Sequence, residues 1–187
     1  MVNIKINNIP VSVKEGSTIL EAARSVGIEI PTLCHMKGIN EIGACRVCVV
    51  EVKNMRSLVA SCVYPVNEGM EIFTNTPRVI ESRKTTLELI LSDHRKTNCE
   101  LQRLSYQYGC DEERFAGAGK ENVFDTSTEY LIRDNSKCIL CRRCIAVCKK
   151  VQGIGVLGAN ERGFATHVAT AFDMNLNNTP CVGCGQC

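Results

Sequence analysis

Tryptophan is absent from the 187 residues, aromatic side chains make up 5 % and histidine occupies three positions, so large rings do not fill the core of this chain. No apolar run approaches the ~20 residues that a membrane-spanning helix needs. Met1-Val2-Asn3-Ile4 opens a strand pattern where an export signal would place a charged stretch before an apolar block. Twenty-two Lys and Arg against twenty Asp and Glu leave a net charge of +2, without the basic excess that neutralises phosphates, which argues against a nucleic-acid partner. At roughly 150 residues per domain the length allows one domain or two small ones and no large catalytic barrel. No nucleophile–base pair or Gly-rich phosphate loop can be argued either, and Gly153, Gly155 and Gly158 suit turns between short strands. The chain reads as soluble, uncleaved and cytoplasmic, with no membrane span and no catalytic site among these residues.

What is abundant is cysteine, with thirteen residues at tight spacings. The number is odd, its share falls below the ~8–10 % of small disulfide scaffolds, and the export signal that such scaffolds require is missing. Thiolates held for metal explain the pattern better, and metal binding then supplies folding free energy directly.

Val2, Ile4 and Ile6 alternate, Asn7-Asn8 gives a turn, and Ile9, Val11 and Val13 alternate back, which predicts a β-hairpin. Thr18 with Glu21 fits a capping box ahead of a helix that Gly27 ends. Strands are expected at 47–52, 58–63 and 70–74, completing an α+β roll of the β-grasp kind over residues 1–78. Thr76-Pro77 starts a helix up to Ser92, and a second runs from Cys99 to Tyr108. Residues 79–135 thus form a helical linker, whose polar stretch from Asp111 to Asn135 reads as a surface connector. Residues 136–187 form a cysteine-rich third unit.

Cys34, Cys45, Cys48 and Cys62 follow C-x10-C-x2-C-x13-C. Four thiolates from a loop and adjacent strands can enclose a [2Fe–2S] centre, and the plant-type pattern shares the C-x2-C pair with a shorter first gap. Gly43 and Ala44 are small enough to let backbone N–H groups approach the sulfurs. A four-cysteine zinc site is the alternative. Cys138, Cys141, Cys144 and Cys148 then form C-x2-C-x2-C-x3-C, and Cys181, Cys184 and Cys187 form C-x2-C-x2-C. In two-cluster ferredoxins the fourth cysteine of each run ligates the other cluster. Cys148 is therefore expected with Cys181, Cys184 and Cys187 on one [4Fe–4S] cluster. Cys138, Cys141 and Cys144 hold three corners of another, its fourth thiolate expected about four residues beyond Cys187. Lys149 stands where this motif often has proline.

These motifs resemble, over all 187 residues, the N-terminal electron-transfer region of the catalytic subunit of NAD(P)-linked, multisubunit [FeFe]-hydrogenases. The likeness rests on IPTLCH ending at His35, GACRVCVVEV from Gly43, NCELQ around Cys99, KCILCRRCIAVC ending at Cys148, RGFATHVATAF from Arg162 and PCVGCGQC ending at Cys187. The same modules occur in formate dehydrogenase catalytic subunits and in the large iron–sulfur subunit of complex I. The motifs therefore specify electron transfer more sharply than the terminal reaction. ERGF followed by PCVGCGQC tilts the reading toward hydrogenase. A non-catalytic ferredoxin-like adaptor is a rival, opposed by the incomplete last motif.

The resemblance implies a flavoprotein partner that oxidises NAD(P)H, a small [2Fe–2S] subunit, and in some members soluble ferredoxin as a further partner through electron bifurcation. It also implies a third, His-ligated [4Fe–4S] cluster with the pattern H-x3-C-x2-C-x5-C followed by ELQ. Here His94 is followed by four residues and then Cys99-Glu100-Leu101-Gln102, two cysteines and about eight residues short of the pattern. His94 and Cys99 are the candidate ligands that remain, and their retention favours an omitted segment over loss of the cluster. A gap in Cα spacing between them would mark the omission. A solvated helix-end histidine and ordinary thiols at Cys99 and Cys110 are the plain alternatives.

Overall fold

The computed structural model describes residues 1–94, 99–115 and 124–187. Strands β1 (Val2–Ile6) and β2 (Ile9–Val13) pair antiparallel, with Ile6 opposite Ile9 and Lys5 opposite Pro10. Asn7 and Asn8 close the hairpin at φ 50° and 68°, as a type I′ turn demands. Alternation sends Val2, Ile4, Ile6, Val11 and Val13 to one buried face. Helix α1 (Ile19–Ser25) begins with the capping box, Thr18 accepting from the Glu21 N–H while the Glu21 carboxylate accepts from the Thr18 N–H. Its buried Ile19, Leu20, Ala22 and Ala23 join that face in one core.

Strands β3 (Val49–Val52), β4 (Val59–Ala60) and β5 (Glu71–Phe73) complete a sheet in the order β2-β1-β5-β3-β4, with β1 and β5 parallel. This is the expected roll with shorter strands. Residues flanking β3 and β4 are turned by the cysteine loops, and the Ser61 N–H donates to the Cys48 carbonyl just outside the ladder.

Thr76 caps helix α2 (Pro77–Leu91), with proline at the first helical position where no N–H is required. Helix α3 (Glu100–Tyr108) ends at Gly109, whose φ of 56° makes the left-handed C-terminal cap. Leu87 and Leu91 of α2 meet Leu101 and Leu104 of α3, and Leu33 and Val47 from the first unit enter the same cluster. The linker is thus bonded by apolar packing to the loops that carry Cys34 and Cys45. Full burial of Leu87 alone contributes about 1.5–3 kcal/mol.

Within the expected connector, β6 (Phe124–Asp125) and β7 (Arg133–Asp134) form a short hairpin. Beyond it, helix α4 (Arg143–Lys150) carries Cys144 and Cys148, and β8 (Gly158–Asn160) pairs with β9 (His167–Ala169). Leu157, Val168 and Leu176 form a small third core, against which Cys138, Cys144 and Cys181 pack. Among the described residues no helix is long and apolar enough to cross a membrane.

Candidate metal centres

Cys34, Cys48 and Cys62 are each about 1 % exposed, and Cys45 is half-buried at the face toward the helical linker. The four sulfurs approach as two pairs. Cys48 Sγ lies 3.3 Å from Cys62 Sγ, and Cys34 Sγ accepts from the Cys45 N–H at 3.5 Å. In each pair one sulfur keeps the proton and its partner becomes acidic. Hydrogen bonding to Cys34 draws Cys45 down to about 5, and hydrogen bonding to Cys62 draws Cys48 down to about 7. Cys34 and Cys62 are pushed far up by the same bonds and by burial. Among the described residues no three His, Cys, Asp or Glu side chains close on a single ion. A single zinc would draw four sulfurs together, whereas a [2Fe–2S] unit offers two iron atoms, each taking two thiolates. The residues fit the two-iron group.

Every C-x2-C gap contains one residue in the left-handed region. Arg46, Leu140, Arg142, Gly183 and Gly185 all have positive φ, between 54° and 70°. Three of them are not glycine, and each non-glycine residue there costs on the order of 1–3 kcal/mol and persists only because its surroundings enforce it. The turns aim N–H groups at sulfur. The Cys45 N–H lies 3.5 Å from Cys34 Sγ, and the Leu140 N–H lies 3.4 Å from Cys138 Sγ. Gly43 also has positive φ, which favours glycine, and a Cβ there would sit a tight 3.2 Å from the Val63 side chain. Gly183 is tighter still, because a Cβ would meet the Tyr130 ring at 2.6 Å.

Cys138, Cys141 and Cys144 line a cavity of about 220 Å³. Burial pushes the Cys144 thiol up to about 11, helped by the charges of Cys138 and Cys141. Cys187 lines the same cavity, whereas the chain pattern assigns it to the other cluster with Cys148, Cys181 and Cys184. Cys148 is 8 % exposed on α4, and Cys184 and Cys187 are exposed.

His94 is 8 % exposed, which overturns the solvated alternative. Its Nδ1 is buried with no hydrogen-bond partner among the described residues, and burial lowers its pKa against the opposing pull of the Lys137 backbone. An unpartnered ring nitrogen suits a metal ligand. Cys99 stands at the N-cap of α3 without a side-chain capping bond. The spacing test between them falls on residues 95–98, outside the described residues. Cys110 packs against the same apolar cluster as Cys99, its Sγ 3.9 Å from the Lys84 carbonyl, with burial and Glu88 pushing its thiol up to about 11. It should therefore resist iodoacetamide at pH 8 in the folded protein and react only as the pH nears 11. Fast alkylation at pH 8, read by peptide mass, would show that Cys110 is a thiolate held for another purpose.

Residues 1–77 match the family described as 2Fe-2S iron-sulfur cluster binding domain, so the first unit is of that ferredoxin-like class. Over its full length the chain is 46 % identical to the NADP-reducing hydrogenase subunit HndD of Solidesulfovibrio fructosivorans, covering 34 % of that protein. It is 38 % identical, over 95 % of its length, to the NADH-ubiquinone oxidoreductase 75 kDa subunit of Reclinomonas americana, covering 27 % of that subunit. The crystal structure of an NAD+-reducing [NiFe]-hydrogenase in the H2-reduced state superposes on 99 % of this chain and 82 % of its own, with TM-score 0.87 and 26 % identity. The chain is thus homologous to the iron–sulfur region of NAD(P)H-linked oxidoreductase subunits, and it spans about a third or less of the length of these curated relatives.

Proposed function

We propose that this chain is the electron-transfer region of an NAD(P)-linked [FeFe]-hydrogenase subunit in the cytoplasm. It would pass electrons between a flavoprotein partner with a small [2Fe–2S] subunit, and in bifurcating members soluble ferredoxin, and a hydrogen-converting site outside these residues. The match of residues 1–77 to the 2Fe-2S cluster binding family, with Cys48 Sγ 3.3 Å from Cys62 Sγ inside it, is the observation that carries the electron-transfer reading. The likeness to a hydrogenase subunit at 46 % identity supports hydrogen as the terminal reaction. A complex I-like role is the second reading, favoured by the 38 % identity to the 75 kDa subunit. The [NiFe]-hydrogenase neighbour shows that this fold also accompanies a different hydrogen-converting metal centre.

In this reading Cys34, Cys45, Cys48 and Cys62 hold a [2Fe–2S] centre in a domain of residues 1–78. Residues 79–135 carry His94 and Cys99 for a third [4Fe–4S] cluster, and residues 136–187 hold two more. Such clusters supply one-electron chemistry at low potential. The chain's own work is to bury the sulfurs, direct N–H groups at them and fix their spacing. Those N–H bonds stabilise anionic sulfur and so help to set the potential.

Anaerobic purification followed by electron paramagnetic resonance of the reduced protein tests the reading, which requires both two-iron and cubane signals. Zinc without either signal would overturn it. Ligand assignment is tested by Cys148→Ser and Cys187→Ser. Crossed ligation predicts that both damage the cluster of Cys181 and Cys184 and spare that of Cys138, Cys141 and Cys144. Loss of the latter cluster in Cys187→Ser would instead make Cys187 its fourth ligand.

A further inference from the structure

The loop that follows Cys34 does not end in its own domain. It returns through the isolated bridge between Met36 and Asn40, and the side chain of Asn40, 1 % exposed, points into the seam with the cysteine-rich unit. There its carboxamide nitrogen donates twice, to the carbonyl of Cys34 at 2.8 Å and to the carbonyl of Cys141 at 3.0 Å. One buried NH2 group thereby joins the backbones of two cysteines from different constellations, about a hundred residues apart. From the other side Arg143 donates to the same Cys34 carbonyl at 3.3 Å and to the His35 carbonyl at 3.0 Å. Lys150, on the last turn of α4, reaches the Ile39 carbonyl at 2.6 Å.

A primary amide with both hydrogens used is a demanding choice for a buried position. An aspartate of the same shape would set a carboxylate against two carbonyl oxygens, and a leucine would strip the Cys141 carbonyl of this donor, at about 1–3 kcal/mol, and leave the Cys34 carbonyl to Arg143 alone. Neither the sheet core nor the helical linker needs this contact, because each has its own apolar cluster. What the contact does fix is the separation and register of two ligand loops, and residues of both constellations, Cys45 and Cys138, line one shared cavity of about 350 Å³. Electron tunnelling weakens exponentially with distance and is stronger along covalent and hydrogen bonds than across a gap. Cysteine side chain, carbonyl, amide, carbonyl and cysteine side chain make such a bonded track.

We propose that Asn40 is the positioning residue that couples the two-iron centre of Cys34 to the cubane of Cys138, Cys141 and Cys144, its amide bridging the Cys34 and Cys141 carbonyls with Arg143 locking the same loop. This rests on the cluster reading above. With both groups bound, a single electron would cross in each event, one centre being oxidised as the other is reduced, with no bond made or broken.

The test uses the full, cluster-loaded chain with Asn40→Leu, Asn40→Asp and Arg143→Gln. The readouts are iron content, the separate signals of the reduced centres, and the spin–spin broadening between them when both are reduced. Retained iron and signals, with the broadening lost in Asn40→Leu and Asn40→Asp and reduced in Arg143→Gln, are expected. A residue that merely supports the fold would change iron content or melting and leave the broadening of the remaining loaded molecules intact, and that result overturns the proposal. If both Asn40 variants lose their clusters, Arg143→Gln decides: unchanged broadening overturns the bridge and diminished broadening supports it. Absence of the two signals in the unmodified chain would instead overturn the cluster reading itself.

Discussion

Replacing Cys48 with serine should abolish the two-iron signal while the cubane signals of residues 136–187 persist. Cys48 is buried, lies 3.3 Å from Cys62 and belongs to the main apolar core of the first unit. Serine offers a harder oxygen and a shorter bond, so an iron held by Cys48 and Cys62, as proposed, would lose a thiolate ligand. The loss extends to stability, because ligand binding contributes directly to the folding of a small metal-holding domain. Residues 1–78 expressed alone should bind the centre when unmodified, and with Cys48→Ser should melt without it. Anaerobic paramagnetic resonance and iron content read both results. Full two-iron occupancy in the serine variant would remove Cys48 from the ligand set.

Arg83→Leu should destabilise the loaded protein by about 3 kcal/mol or more, the upper range for a point change that strands buried polar groups. The guanidinium is 1 % exposed and donates to the Val49 carbonyl at 2.8 Å, the Tyr108 hydroxyl at 2.9 Å and the Asn75 side chain at 3.4 Å. It therefore ties β3, the start of α2 and the end of α3 to one buried fork. Arg83→Lys should rescue little, since one ammonium on a flexible stem does not reproduce that planar geometry. Val49 follows Cys48 directly, so the two-iron signal should also broaden in shape in Arg83→Leu. Anaerobic denaturant titration provides the measurement. A loss below about 1 kcal/mol would mean that water or neighbours take over the stranded carbonyl.

The hairpin, the capped helices and the Cys34 constellation were legible because each announces itself locally, through alternation, through Thr18 with Glu21, through Thr76-Pro77 and through cysteine spacing. The β6–β7 hairpin was not, since strands of two residues carry no alternation. Helix α4 was hidden by the motif itself. Cys144, Val147 and Cys148 lie at helical spacing, yet a cysteine run is read for ligands before periodicity. The turned gaps were equally silent, because Arg46, Leu140 and Arg142 carry no glycine to betray a positive φ. Asn40 was missed for a different reason. Its partners are far away in sequence, and nothing nearby distinguishes it from the turn residues Asn7 and Asn8.

Pro10 sits on β2, the outer strand of the sheet, opposite Lys5. In a two-residue hairpin the closing pair, Ile6 and Ile9, exchanges the hydrogen bonds, so the next position on β2 turns its nitrogen outward. Proline places no donor there. The outer rim of the sheet is thus interrupted where a second chain would begin to add itself as a further strand. This matters most for newly made protein that awaits its iron. Before its iron–sulfur group binds, the first unit lacks the folding free energy that metal binding supplies, and a blunted rim disfavours such waiting chains templating one another into aggregates.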